Sequence, residues 1–395
     1  MKEFLEGSRA IAEVVKLCKP GVISAYPITP QTHIVEELAS MVANGELSAQ
    51  FVNVESEHSA ASVVLGAQAT GVRTFTATSS QGLFYMMEVL FNIAGMRLPL
   101  VLTCANRAIS APINIWNDQQ DSISLRDSGW IQLYAENIQE SADLHLIAYR
   151  LSEDKSIMLP TMVCMDGFIL THGMEAVDMP KQEEVDKFLP PYKPLYKLDT
   201  AEPLSMGLLA DPDYYMETRF AIQETFKSLL KAIPQVNAEF KGVFGRDYGD
   251  GLVEEYYTKD AQKVIVAMGS VCGTIKEVVD AQRAKGKKVG LLKVISYRPF
   301  PYARVYDILK DVPRVAVLDK AVSLGAYAPL AVEVKAAFSG KQKAPRVVSS
   351  FVAGLGGRDI TLESIKEIFL KLTQKEASLE FIDLKPELLT EEYGQ

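Results

Sequence analysis

The sequence predicts an α/β protein built from two doubly wound, mostly parallel-sheet domains joined by a long connector. Two series of short apolar runs, each alternating with helical patterns, carry that expectation, and a proline-rich stretch separates them. At 395 residues the chain also exceeds what one hydrophobic core usually serves. In the first series, residues 1–172, the strand candidates are GVISAY, QFVNV, RTFTAT, LPLVLTCA, IQLYAE and LPTMVCMD, each rich in Val, Ile, Thr or aromatics. Helical patterns such as HSAASVVLGAQAT and QGLFYMMEVLFNIAG lie between them. Residues 173–262 are the connector: Pro180, Pro190, Pro191, Pro194, Pro203 and Pro212 disfavour regular structure over its first half, and YMETRFAIQETFKSLLKAI supplies one amphipathic helix. The second series, residues 263–375, contains KVIVAMGS, KVGLLKVI, RVAVLDK and PRVVSSFVAG, and residues 376–395 make a C-terminal tail.

Composition excludes several functions. A net charge of −9 with mixed signs along the chain argues against a nucleic-acid surface. The four cysteines, Cys18, Cys104, Cys164 and Cys272, are far apart and mostly within apolar runs, so reduced thiols are expected rather than disulfides or a metal site. No CxxC spacing exists to hold an iron–sulfur cluster. The amphipathic, charged N-terminus is not a signal peptide, and no apolar run reaches membrane-spanning length, so a cytoplasmic protein with no membrane partner is expected.

Ligands of doubly wound sheets bind beyond the carboxyl ends of the strands. Four consecutive strand ends here carry polar groups: Tyr26-Pro27-Ile28-Thr29-Pro30, then Glu55-Ser56-Glu57-His58, then Thr78-Ser79-Ser80-Gln81-Gly82, then Asn106-Arg107 with the loop APINIWNDQQDSISLRDSGW. The two prolines either shape a turn or clamp Thr29 as a rigidly placed hydroxyl for substrate. Glu57 is either an ordinary neighbour of a Ser56 helix cap or a half-buried carboxylate of raised pKa, suited to proton exchange with a heteroaromatic nitrogen. Ser80 and Gln81 open a helix with free backbone N–H groups. Arg107 is either a surface ion-pair residue or a fork of donors for a carboxylate. His58, His145 and His172 read as structural, because no second histidine stands at metal-ligand spacing, and no metal site is expected. GxGxxG, GxxxxGK[ST] and GxSxG are all absent. Gly249-Asp250-Gly251 resembles the start of the diphosphate motif of thiamine diphosphate enzymes, yet no asparagine follows Asn237, so it reads as a turn.

Taken together, YPITP, ESEHSA, TATSSQGL, NRAISAPINIWNDQQD and FVAGLGGRD resemble the alpha subunit of pyruvate:ferredoxin oxidoreductase, in the 2-oxoacid:ferredoxin oxidoreductase group, over nearly the whole chain. The resemblance implies a first domain like the pyrimidine-binding domain of thiamine diphosphate enzymes and a last domain of the transketolase C-terminal type. It implies thiamine diphosphate shared with a beta subunit that holds Mg²⁺ and the diphosphate, which accounts for the missing asparagine. Glu57 would bond the aminopyrimidine and help generate the reactive ylide, with Tyr26, Pro27, Ser80 and Gln81 also at the cofactor. Thr29 and Arg107 would hold the substrate carboxylate, in a pocket with Ile28, Asn117, Asp118, Gln119 and Asp121. The implied reaction is oxidative decarboxylation of a small 2-oxoacid, pyruvate plus coenzyme A giving acetyl-CoA and CO₂. Electrons would pass through [4Fe-4S] clusters on other subunits, of gamma and delta type, to ferredoxin, in a dimer of heteromers. Many relatives carry a histidine where this chain has Asn117-Asp118-Gln119-Gln120-Asp121, so oxalate, as in the closely similar oxalate oxidoreductase, is the alternative substrate. A non-catalytic scaffold and a free-standing transketolase-like enzyme are the readings from other classes. For the GLGGRD turn, Gly354 to Asp359, a structural or interface role is expected.

Overall fold

The computed structural model describes residues 2–373 and 377–389. The chain forms two compact units, one of residues 1–254, 268–270 and 294–301, the other of 255–267, 271–293 and 302 onward. In chain order the first contains β1 (Lys2–Glu6), α1 (Gly7–Cys18), β2 (Val22–Ile23), α2 (Thr32–Ala43), β3 (Gln50–Phe51), α3 (Glu57–Ala69), β4 (Thr74–Thr78), α4 (Ser80–Tyr85), α5 (Met87–Gly95), β5 (Val101–Asn106), α6 (Gln120–Ser124), β6 (Ile131–Tyr134), α7 (Ile138–Ser152), β7 (Thr161–Asp166), β8 (Met174–Asp178), α8 (Gln182–Phe188) and α9 (Pro212–Phe244). After β9 (Val253–Tyr256) come β10 (Lys263–Ala267), α10 (Val271–Arg283) and β11 (Val289–Val294). Then β12 (Ser296–Arg298) returns to the first unit, before α11 (Tyr302–Leu309), β13 (Arg314–Asp319), α12 (Pro329–Ala336), β14 (Val347–Val352), α13 (Leu362–Lys371) and β15 (Glu380–Phe381).

The first unit holds a seven-stranded sheet in the order β12-β6-β7-β5-β4-β2-β3, parallel except for β12 against β6. Its central strands β4, β5 and β7 are buried at every residue, as expected when helices cover both faces. Ile11, Val14 and Val15 of α1, Ile34 and Leu38 of α2, and most of α7 form its core with these strands. The second unit holds a six-stranded sheet, β15-β14-β13-β10-β11-β9, around Ile265, Val279, Leu291, Leu318, Phe351 and Ile368. Both units are thus α/β with mostly parallel sheets. No helix among the described residues is long and apolar enough to cross a membrane.

The segment between the two series carries more regular structure than its prolines suggest. β8 pairs with β1 in an antiparallel ribbon, α8 follows, and α9 runs for 33 residues, well beyond the stretch its periodicity marks. Asp211 caps α9 by accepting the Asp213 N–H at 3.0 Å, Pro212 sits in its first turn, and Gly245 closes it at φ 73. Pro234 lies inside the helix without ending it. An interior proline costs about 3 kcal/mol. Burying Ile222, Leu229, Ile233, Val236 and Phe240 against the first core returns about 2 kcal/mol each, which outweighs it. Asp250 Oδ1 accepts the N–H groups of Leu252 and Val253 at 3.0 and 2.9 Å, so the GDG stretch is an Asx-type turn. In GLGGRD, Gly354, Gly356 and Gly357 all take positive φ and Arg358 donates to the Asp383 carbonyl at 2.6 Å, closing the turn within the second unit. Of the expected tail 376–395, residues 376 and 390–395 lie outside the described residues.

Candidate functional site

The chain leaves β2 for its neighbour β3, then crosses back over β2 to β4 on the other side. The order of strands therefore reverses at the β2/β4 pair, and the loops that leave those two strands flank the crevice where such sheets bind ligands. They are the YPITP loop and the SSQG turn.

Tyr26, Pro27 and Thr29 are exposed while Pro30 is buried. Gln31, fully buried, fixes the loop: its Nε2 donates to the Tyr26 carbonyl at 3.0 Å and to the Ala77 carbonyl of β4 at 2.8 Å. Motif reading missed this residue, because a glutamine at the start of a helix carries no signal of its own. The Thr29 carbonyl accepts from Arg107 Nη1 at 2.9 Å, and Arg107 Nε donates to the Asn114 carbonyl at 3.0 Å. Thr29 and Arg107 are therefore joined, and among the described residues Arg107 Nη2 is the guanidinium nitrogen left without a protein acceptor. Burial pushes the Arg107 pKa down, against the pull of Asp121.

Glu57 is the first residue of α3, whose N-cap Ser56 accepts the Ser59 N–H at 3.2 Å. Its side chain is buried, with 7% exposure, and among the described residues it takes no hydrogen bond. It lies against Gly82 of α4: a Cβ there would stand 2.6 Å from Glu57 Oε1 and 2.6 Å from Thr78 Oγ1. Only glycine leaves that space. Among the described residues the Thr78 hydroxyl and Gln81 Nε2 are buried without hydrogen-bond partners. A buried carboxylate with an unpaired hydroxyl packed beside it suits a heteroaromatic ring that brings its own donors and acceptors. Ser80 opens α4 at φ 49, a conformation that is strained for a residue with a Cβ, and its hydroxyl is held by the Ala108 carbonyl and Gln81 Oε1.

Beneath this rim lies Asp121, fully buried. One of its oxygens accepts the backbone N–H groups of Ser80 and Arg107, both at 3.0 Å; the other accepts Asn106 Nδ2 and the Ser122 N–H, both at 2.7 Å. Burial pushes its pKa up to about 6, with those four donors holding it down. It ties the ends of β4 and β5 together. The neighbouring candidates are similarly engaged: Asn117 Nδ2 bonds the Asn106 carbonyl at 3.3 Å, Asp118 accepts from Gln120 at 3.1 and 2.9 Å, and Gln119 Nε2 bonds Asp166 at 3.2 Å. Asn117, Asp118, Gln119 and Asp121 are at most 1% exposed, and Asn117 Oδ1 and Gln119 Oε1 are buried without a hydrogen-bond partner among the described residues. His145 is likewise internal, bonded to Thr103 Oγ1 at 2.6 Å and the Ser141 carbonyl at 2.7 Å, with burial pushing its pKa down to about 4.

The sheet sets a buried carboxylate, packed against Gly82, at its switch point. Solved structures agree on the fold: the chain matches 2-oxoglutarate:ferredoxin oxidoreductase from Magnetococcus marinus with TM-score 0.73 at 19% identity, over 94% of this chain and 65% of that one. It also matches a split-gene transketolase tetramer with TM-score 0.53 at 11% identity, over 92% and 93% of the two chains. Residues 13–238 match the pyruvate flavodoxin/ferredoxin oxidoreductase thiamine diphosphate-binding family, and residues 261–365 match pyruvate:ferredoxin oxidoreductase core domain II. Among curated relatives, pyruvate synthase subunit PorA of Methanothermobacter thermautotrophicus is 51% identical over 98% of this chain and 99% of its own, and that of Methanocaldococcus jannaschii 52% identical over 93% of both. Ketoisovalerate oxidoreductase subunit VorA of Pyrococcus horikoshii is 45% identical over 93% of both chains. The protein belongs to the 2-oxoacid:ferredoxin oxidoreductase family, as its alpha-type subunit.

Proposed function

We propose that this chain supplies the pyrimidine-binding and substrate-orienting half of a pyruvate:ferredoxin oxidoreductase active site. The observation that carries the reading is the Glu57 carboxylate, buried at the β2/β4 switch point against Gly82 with no hydrogen-bond partner among the described residues. Thiamine diphosphate, when bound, would supply a carbon nucleophile and an electron sink for a 2-oxoacid. Glu57 holds a hydrogen bond to, and shares a proton with, a ring nitrogen of the cofactor. Ser80, Gln81, Tyr26 and Pro27 border that ring. The Thr29 hydroxyl and Arg107 Nη2 orient the substrate carboxylate, with Ile28 on the apolar side, and the Thr29–Arg107 bond keeps the two at a fixed spacing. Mg²⁺ and the diphosphate belong to a beta-type subunit, and the [4Fe-4S] clusters to gamma- and delta-type subunits that pass electrons to ferredoxin in the cytoplasm. The pyruvate assignment is supported by the PorA relatives.

The test is viologen or ferredoxin reduction by the purified complex with pyruvate plus coenzyme A, ketoisovalerate plus coenzyme A, or oxalate alone. Coenzyme A-dependent turnover of pyruvate that falls about 10²–10⁴-fold in Glu57→Gln is the expected result. Turnover of oxalate or ketoisovalerate in preference to pyruvate would overturn the substrate, and full activity of Glu57→Gln would overturn the site.

A further inference from the structure

Behind the YPITP loop the fold assembles three side chains that are far apart in sequence. Glu6 ends β1, His33 stands in the first turn of α2, and His172 lies in the turn between β7 and β8. His33 Nδ1 meets Glu6 Oε1 at 2.7 Å, the two imidazole rings lie at 40° to each other with centroids 4.7 Å apart, and one ligand atom from each of the three residues lies within 4.8 Å of the other two. The backbone beneath is tightly built. Gly7 donates to the Gly173 carbonyl at 3.0 Å and Ser8 to the Thr171 carbonyl at 2.9 Å, so the strand that carries Glu6 and the turn that carries His172 are bonded side by side. A Cβ on Gly7 would stand 1.7 Å from the Leu170 carbonyl oxygen, and one on Gly173 2.4 Å from that of Ile169, so glycine is required at both. His172 Nδ1 pairs with Thr171 Oγ1 at 2.7 Å, leaving Nε2 free to point away from the turn. A hydrogen bond on one ring nitrogen is the arrangement that orients a metal-binding imidazole. Phe168 covers the other side of His172 with centroids 4.8 Å apart.

We propose that Glu6, His33 and His172 bind a divalent first-row transition-metal cation, with water at the remaining position. Two imidazoles and one carboxylate are the donor set for Zn²⁺, Co²⁺ or Fe²⁺ and a poor one for Mg²⁺, which takes oxygen ligands. Bonds of about 2.1 Å at tetrahedral angles separate ligand atoms by about 3.4 Å, so the ion opens the 2.7 Å Glu6–His33 contact and draws in the more widely separated ligand atoms. The ion joins β1, the turn before β8 and the first turn of α2. That turn follows directly on Pro30 and Gln31, so the cation braces the base of the loop that carries Thr29.

The experiment is equilibrium dialysis of the purified complex against micromolar ZnCl₂ in Mg²⁺-containing buffer, with bound zinc counted by mass spectrometry, for wild type, His172→Ala and Glu6→Gln. The expected result is one zinc per chain fewer in His172→Ala and at least about tenfold weaker binding at that site in Glu6→Gln, the near-isosteric variant that keeps the test decisive if the alanine variant fails to assemble. Zinc should also raise the melting temperature of wild type and not of Glu6→Gln. Equal zinc content in wild type and Glu6→Gln, or displacement of the zinc by millimolar Mg²⁺, would overturn the assignment.

Discussion

Replacing Gly82 by alanine separates the role of Glu57 in the site from its role in the fold. In a helix, Gly→Ala ordinarily stabilises by about 1 kcal/mol. At position 82 the new methyl would stand 2.6 Å from Glu57 Oε1 and 2.6 Å from Thr78 Oγ1, where ordinary contact begins at 3.4 Å, a shortfall of 0.8 Å on each side. Thr78 is held in a strand buried at every residue, whereas Glu57 Oε1 is the free end of a flexible side chain. The carboxylate therefore yields, by about an ångström, at a rotamer cost on the order of 1 kcal/mol, while the overlap with Thr78 remains and costs about 1–3 kcal/mol. Fold stability falls by about that last amount, because the helical gain offsets only the rotamer change. Catalysis falls further, because a displacement of about 1 Å at a reacting group costs on the order of 10²-fold. The assay is viologen reduction by the complex carrying Gly82→Ala beside its melting temperature. A drop of about a hundredfold in an assembled complex whose melting temperature is lowered by several degrees is expected. Full activity would show that the gap beside Glu57 is not where the reaction is set, and loss of assembly would show that α4 rather than the carboxylate yields.

Three further outcomes follow from buried groups. Gln31→Leu leaves the Tyr26 and Ala77 carbonyls without their donor, at about 1–3 kcal/mol for each buried orphan, and frees the loop that carries Thr29; a lower melting temperature together with a raised KM for the 2-oxoacid is expected, and an unchanged KM would contradict the anchoring role. Asp121→Asn turns an NH₂ toward one pair of donors that now face a carboxylate oxygen, so the complex should lose about 3 kcal/mol of stability and most of its activity, read by thermal melting and turnover. Asp319, buried and accepting the Leu330 and Ala331 N–H groups at 2.7 and 3.2 Å, has its pKa pushed up by burial to about 7 from 3.8. The folded state then binds the proton more tightly than the unfolded chain, so its contribution to stability is full below pH 3.8 and falls by about 1.4 kcal/mol per unit as pH rises toward 7. The melting temperature of Asp319→Asn relative to wild type should rise between pH 5 and 7, and a difference independent of pH would refute the shift.

Local patterns determined much of this protein. Alternating apolar runs and helical stretches specify two parallel-sheet units because a strand covered on both faces must be apolar throughout, as β4, β5 and β7 are. Ser56 ahead of Glu57 marks the start of α3, and the proline-flanked Thr29 marks a strand end, because caps and prolines act on adjacent backbone. Tertiary structure alone decided the partners. Asp121 reads as one more polar residue of a loop, and folding draws it inward because the N–H groups at the ends of β4 and β5 need an acceptor once water is excluded. α9 continues through Pro234 because the core it covers outweighs the local cost of the ring. Gly82 is an unremarkable letter until α3 lies across it, and His33 and His172, 139 positions apart, show no ligand spacing until β1, β8 and α2 are brought together. Sequence spacing reports neighbours along the chain, while a site is made of neighbours across it, and only the packing of the elements fixes those.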